Sequence, residues 1–102
     1  MPTSLTEPQR KHLRRLAQRL RPVVRVGQNG LSAPVMAEIE RALEHHELIK
    51  LSLRLGDRAV RAGAIGRIAE ATGAELVQGI GNAAVFFRAN PRKQRPLSLP
   101  EP

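Results

Sequence analysis

The valine-rich segment Val23-Val24-Arg25-Val26 runs directly into Gly27-Gln28-Asn29-Gly30, and a capped helix signal, Leu31-Ser32-Ala33-Pro34, comes directly out. A strand, a tight glycine loop and a helix in immediate succession restrict the chain to folds built on a β-α unit. Two glycines let the backbone take positive φ and approach a partner closely. The N–H groups opening the next helix face the same spot, and their partial positive charge suits a phosphate. The segment before this unit is crowded with arginine. Loop, helix start and basic surface together suggest a nucleic-acid backbone as ligand.

The rest of the chain supplies the partners of that unit. Thr6-Glu7-Pro8-Gln9 reads as a helix start, with Thr6 as N-cap and Gln9 closing a capping box. Leu13, Leu16, Ala17 and Leu20 form its apolar stripe, and Pro22 stops it and starts a strand through Val26. Helical spacing places Arg10, Arg14 and Arg21 on one flank. Ser32 caps a second helix with Val35, Met36, Ile39 and Leu43 inward and Glu38, Glu40 and Glu44 outward, ending near His45-His46. Glu47 to Leu55 alternates, with Ile49, Leu51, Leu53 and Leu55 on one face and Lys50, Ser52 and Arg54 on the other. Asp57 caps a third helix whose core side is Val60, Ala64, Ile65, Ile68 and Ala69, and Gly73 fits its C-terminal cap. Ala74 to Ile80 and Ala83 to Arg88 are strands joined at Gly81-Asn82, a link that forces an antiparallel hairpin.

The order α-β-α-β-α-β-β predicts a single α+β domain on a four-stranded mixed sheet, with right-handed crossovers in its two β-α-β steps. The polar alternate face of Glu47–Leu55 predicts a sheet not covered on both sides. Residues 1–4 are expected to be flexible, 5–88 to form the domain, and 89–102, proline-rich and basic, to be a disordered tail.

A chain of 102 residues supports one modest core. It has no cysteine, which excludes disulfides and thiolate metal sites. No apolar run approaches a membrane span, and the N-terminus is polar, so a cytoplasmic protein with no membrane association is the expectation. The net charge of +8 is unevenly placed: residues 1–30 carry seven Lys/Arg and one acid. A one-sided basic excess is the footprint of a nucleic-acid binder.

Other chemistries fit the residues poorly. A dinucleotide site wants a third glycine and a longer doubly wound sheet. A P-loop wants lysine where Gly30-Leu31-Ser32 has none. A KH domain clamps nucleotides with a G-x-x-G loop between two helices, not between strand and helix. His45, His46 and the remote His12 gather no ligand set, and no serine sits in a nucleophile motif, so no metal, cofactor or catalysis is expected. Phe86 and Phe87 face opposite ways in a strand, one for the core and one free to stack on a base or pack.

Leu5-Thr6 with Gln9-Arg10, Leu13, Leu16 and Ala17, then Pro22-Val23-Val24 leading to Val26-Gly27-Gln28-Asn29-Gly30-Leu31, His46-Glu47-Leu48-Ile49-Lys50, and Leu76-Val77 with Ile80-Gly81 and Phe87-Arg88 occur in a telling order and spacing. Over about Leu5 to Pro91 the chain resembles bacterial CRM-domain proteins of the YhbY type. The resemblance implies a fold similar to the C-terminal domain of translation initiation factor three. It also implies an RNA-binding module associated with precursors of the large ribosomal subunit; plant relatives act in organellar intron splicing. The family's RNA-contacting loop maps onto Gly27, Gln28, Asn29 and Gly30, and its helix basics onto Arg10, Lys11, Arg14 and Arg15. Two departures stand out: Gln28 and Asn29 are neutral where the family often has Lys or Arg, and Phe87-Arg88 replaces Tyr-Arg.

The expected function is therefore a non-enzymatic, monomeric RNA-binding protein in large-subunit assembly, with ribosomal RNA and pre-ribosomal particles as partners. Arg10, Lys11, Arg14, Arg15, Arg25, Lys50 and Arg88 are the candidate attractive charges around the loop. The alternatives are an adaptor that recruits a GTPase or helicase through the acidic second helix and the tail, and a general RNA chaperone.

Overall fold

The computed structural model describes residues 5–93, 97 and 99. The expected flexible N-terminus (1–4) and most of the tail beyond Lys93, including Gln94 and Arg95, lie outside the described residues. In chain order the elements are α1 (Glu7–Ala17), β1 (Val24–Val26), α2 (Ala33–His46), β2 (Leu48–Leu53), α3 (Arg58–Thr72), β3 (Glu75–Ile80) and β4 (Ala83–Phe87). The sheet order is β1-β2-β4-β3. β1 and β2 are parallel neighbours, while β4 pairs antiparallel with both β2 and β3. The expected mixed sheet is present, with β4 inserted between the two strands that α3 connects.

Local chemistry places each helix end. The Thr6 side chain accepts from the Gln9 N–H and the Gln9 side chain answers the Thr6 N–H, which completes the capping box. Ser32 and Asp57 cap α2 and α3 by accepting from the N–H of Val35 and Val60. Gly73 closes α3 in the left-handed conformation at φ 75°.

Three expectations need correction. α1 ends at Ala17 rather than at Pro22, and the chain tightens into i→i−3 bonds from the N–H of Gln18, Arg19 and Leu20. Pro22 bars its predecessor from helical backbone, so the helix unwinds before reaching it. Arg21 is consequently outside α1 and off the Arg10–Arg14 flank. Val60, expected in the core, is exposed; it lies in the first turn of α3, over Gly56. Phe86 and Phe87 are both buried, one in each of two cores, so neither offers a face for base stacking.

The two cores lie on opposite faces of the sheet. α2 and α3 cover one face, where Ile39, Leu43 and Ile68 meet Val24, Val26, Ile49, Leu51, Leu53 and Phe86. α1 covers part of the other, where Leu13 and Ala17 meet Leu48, Val77, Val85 and Phe87. α1 is one short helix over a four-stranded sheet, and among the described residues that face stays open beside Lys50, Gln78 and Ile80.

Glu47 links the end of α2 to the tail. It is the one described non-glycine residue with positive φ, at 65°. Its side chain is only 1% exposed. The carboxylate accepts from the N–H of Asn90 (2.8 Å) and Leu97 (2.8 Å), with the Lys93 Nζ at 3.4 Å. Leu97 and Leu99 rest against the α1-side core.

Candidate nucleic-acid interface

The loop after β1 is held by two short backbone bonds. The Gly30 N–H donates to the Gly27 carbonyl (3.0 Å), and the Ser32 N–H to the Gly30 carbonyl (3.0 Å). The N–H groups of Gln28, Asn29 and Leu31 make no backbone hydrogen bond among the described residues. Gly27, Gln28 and Asn29 are exposed. Only Gly30 uses positive φ, at 71°; Gly27 does not. The positive φ that both glycines permit is thus used at Gly30 alone of the two. The start of α2 offers less to an anion than anticipated, because Ser32 already engages the Val35 N–H and Pro34 has none.

A Cβ at either glycine would meet nothing within 4 Å, so any cost of substitution is conformational. Gly30→Ala is expected to destabilise the protein by about 1–2 kcal/mol. Gly27→Ala is expected to stay within about 0.5 kcal/mol of the parent. Parallel urea melts check the pair, and equal losses at both positions would contradict this geometry.

From the loop, the open part of the sheet face runs toward α1. Arg25 pairs in register with Ser52, and Lys50 with Val85. Val85 packs beneath α1, so Lys50 rises from that same face. Two adjoining depressions of about 300 and 370 Å³ occupy it. Lys50, Ile80 and Ala83 line the first, and Lys11, Arg14 and Arg15 the second; Gln18 and Gln78 border both. Strand alternation would put Gln78 on the same face as Leu76. A register shift between them turns Val77 and Gln78 both toward α1, which is why the sequence pattern missed Gln78.

The candidate basic residues divide into two groups. Lys11, Arg15, Arg25 and Lys50 have no ion pair among the described residues. Arg14 pairs at 3.0 Å with Glu7, whose side chain is 74% exposed, so the contact is weak and exchangeable. Arg10 is committed internally: it donates to Glu75 (2.6 Å) and to the Leu76 carbonyl (2.6 Å), while Glu75 also accepts from the Leu5 N–H. Arg88 is committed more fully, to Glu40, to Glu44 and to the Thr72 carbonyl. It ties α2, the end of α3 and β4 together. Arg10 and Arg88 therefore serve the fold, and the open face gathers the others with the glycine loop at its edge. No group of three or more potential metal ligands occurs among the described residues.

The fold is a small α+β domain with three helices on a four-stranded mixed sheet, and its candidate site is a half-open basic sheet face beside a glycine loop. The chain belongs to the CRS1/YhbY (CRM) domain family, whose model matches residues 5–88. It is 43% identical over 98 residues to a Haemophilus influenzae protein named RNA-binding protein, covering 96% of this chain and 97% of that one. It is 40% identical over 95 residues to a Pseudomonas aeruginosa protein named a probable RNA-binding protein, covering 93% and 91% of the two chains. The solution structure of a hypothetical Staphylococcus aureus protein superposes with a TM-score of 0.78 at 30% identity, covering 95% of this chain and 100% of that one.

Proposed function

We propose that the protein is a non-enzymatic RNA-binding module that grips the phosphate backbone of single-stranded RNA. The observation that carries this reading is the open sheet face, where Lys11, Arg15, Arg25 and Lys50 have no ion pair among the described residues, beside a loop whose Gln28, Asn29 and Leu31 N–H groups make no backbone hydrogen bond there. Phosphate contacts of this kind position a strand without reading its bases. Both buried phenylalanines remove the aromatic platform that a stacking module needs. Backbone and shape are therefore the expected readout.

The RNA is ribosomal RNA of the large subunit, bound in pre-ribosomal particles whose assembly the protein assists in the cytoplasm. Family membership supports this reading. The adaptor alternative draws less support, because Glu40 and Glu44 on α2 are already paired with Arg88. No helix among the described residues is long and apolar enough to cross a membrane.

Ultraviolet crosslinking in the source cell, followed by sequencing of the attached RNA, tests the proposal. Reads concentrated in one region of large-subunit ribosomal RNA are expected. Reads scattered across messages would keep RNA binding and discard the ribosomal role, and background-level crosslinks would discard both. In solution, Gln28→Asp with Asn29→Asp is expected to weaken RNA binding roughly tenfold without lowering the melting temperature, because two carboxylates replace neutral groups beside the phosphate. Unchanged affinity would remove the loop from the site.

A further inference from the structure

On the opposite side of the sheet from α1, the first turns of α3 stand away from the β3–β4 hairpin and leave an open cleft of about 390 Å³. It lies within the roughly 300–1,000 Å³ range of small-ligand sites. Small residues create it. Gly79 has no side chain to fill the space, and a Cβ there would meet only the Ile65 Cδ1, at 4.0 Å. Gly81 turns the hairpin at φ 57°, and a Cβ there would meet nothing within 4 Å. The floor is apolar, from Leu53 and Ile65, and the rim carries Arg58, Arg61 and Asn82.

Neither Arg58 nor Arg61 has an ion pair among the described residues, and the Arg61 guanidinium makes a long donation of 3.3 Å to the Gly56 carbonyl. The adjacent carboxylate, Asp57, accepts from the Val60 N–H as the cap of α3. Two guanidinium forks above an apolar floor, with an amide at the edge, suit a phosphate joined to a flat heterocycle.

The cleft is also placed to meet a strand leaving the glycine loop. The Val26 carbonyl accepts from the Arg54 N–H, and the Asn82 carbonyl accepts from the Leu53 N–H. The end of β2 thus joins the loop side to the hairpin side. Two to three strand spacings separate them, roughly 10–14 Å, or about three to four nucleotides of stacked single strand.

The geometry points to a second RNA contact: the cleft takes one unstacked nucleotide of the strand held at Gly27–Gly30, with Arg58 and Arg61 on its phosphate and its base against Ile65 and Gly79. This rests on the RNA-binding reading above. Methyl and amide NMR of the full chain, titrated with an octanucleotide of single-stranded RNA, tests it. The Ile65 methyl and the Asn82 amide are expected to shift in step with Gly30. Arg58→Glu with Arg61→Glu, and separately Gly79→Leu, are each expected to lower octanucleotide affinity roughly tenfold while a tetranucleotide loses much less. The charge variant lies on the surface, so it decides the matter even if Gly79→Leu melts early. Shifts at Gly30 and Lys50 with Ile65 and Asn82 silent, and both variants binding like the parent, would overturn the cleft and leave RNA binding standing. Shifts nowhere would overturn both. Saturation of the cleft by free AMP, with the octanucleotide leaving Ile65 unmoved, would make it a mononucleotide site and overturn the assignment to RNA.

Discussion

Reversing Lys11, Arg15 and Lys50 together to glutamate is expected to weaken binding to single-stranded RNA by a hundredfold or more, and to flatten its salt dependence. Each phosphate neutralised on a single strand contributes about −0.7 to the slope of log K against log salt, worth about 1 kcal/mol at ~0.1 M salt. Losing three such contacts predicts about 3 kcal/mol and a slope shallower by about 2. Repulsion from the new carboxylates adds to the loss. Lys11 and Arg15 are exposed, and none of the three residues has an ion pair to break among the described residues. The fold is therefore expected to survive, and a circular dichroism melt checks that. Reversal of Arg41 and Arg67, exposed on the helices of the far face, is the control, expected to cost only a few-fold. Equal losses from the two sets, read by fluorescence anisotropy across a salt series, would mean that net charge rather than the open face drives binding.

The second large effect concerns Glu47 and is one of stability. Glu47→Ala is expected to destabilise the domain by about 2–4 kcal/mol. It removes a buried carboxylate and strands the N–H groups of Asn90 and Leu97. Hydrogen exchange is expected to show the loss first at those two amides, with the tail leaving the α1-side core. Glu47→Gln keeps acceptor capacity and is expected to lose about half as much. Glu47→Gly relieves the cost of φ 65°, and its melt is expected to lie above that of the alanine variant by about 1 kcal/mol. A chain melting identically with alanine, glycine or glutamine at this position would refute both the anchoring contact and the backbone strain.

Glu47 also illustrates what a linear reading passes over. It stands between a helix and a strand, where the expectation was simply the first residue of an alternating run. Nothing in its neighbours announces that Asn90 and Leu97 return to it. Phe87 is similar: period-two alternation says that it faces away from Phe86, but whether that side meets solvent, RNA or α1 depends on where α1 docks. The glycine loop was legible because its strand, turn residues and capped helix adjoin in the sequence. The groove beside it was less so, since Gln18, Gln78 and Lys50 come from three separated elements.

The sequence by itself determined the element order, the caps at Thr6, Ser32, Asp57 and Gly73, the hairpin at Gly81-Asn82 and the inward faces of α2 and β2. These follow from interactions within a few residues, whose signals are written in adjacent positions. Only the tertiary structure decided that β4 enters between β2 and β3 and that α1 covers just part of one face. It likewise decided that Arg10 and Arg88 turn inward while Lys11, Arg15 and Lys50 have no ion pair among the described residues. The partners of Arg10 and Arg88 lie 65 and 48 residues away. An arginine has the same local signature whether its guanidinium meets a distant carboxylate or a phosphate, so the fold alone sorts the charges that hold the protein together from those left for a ligand.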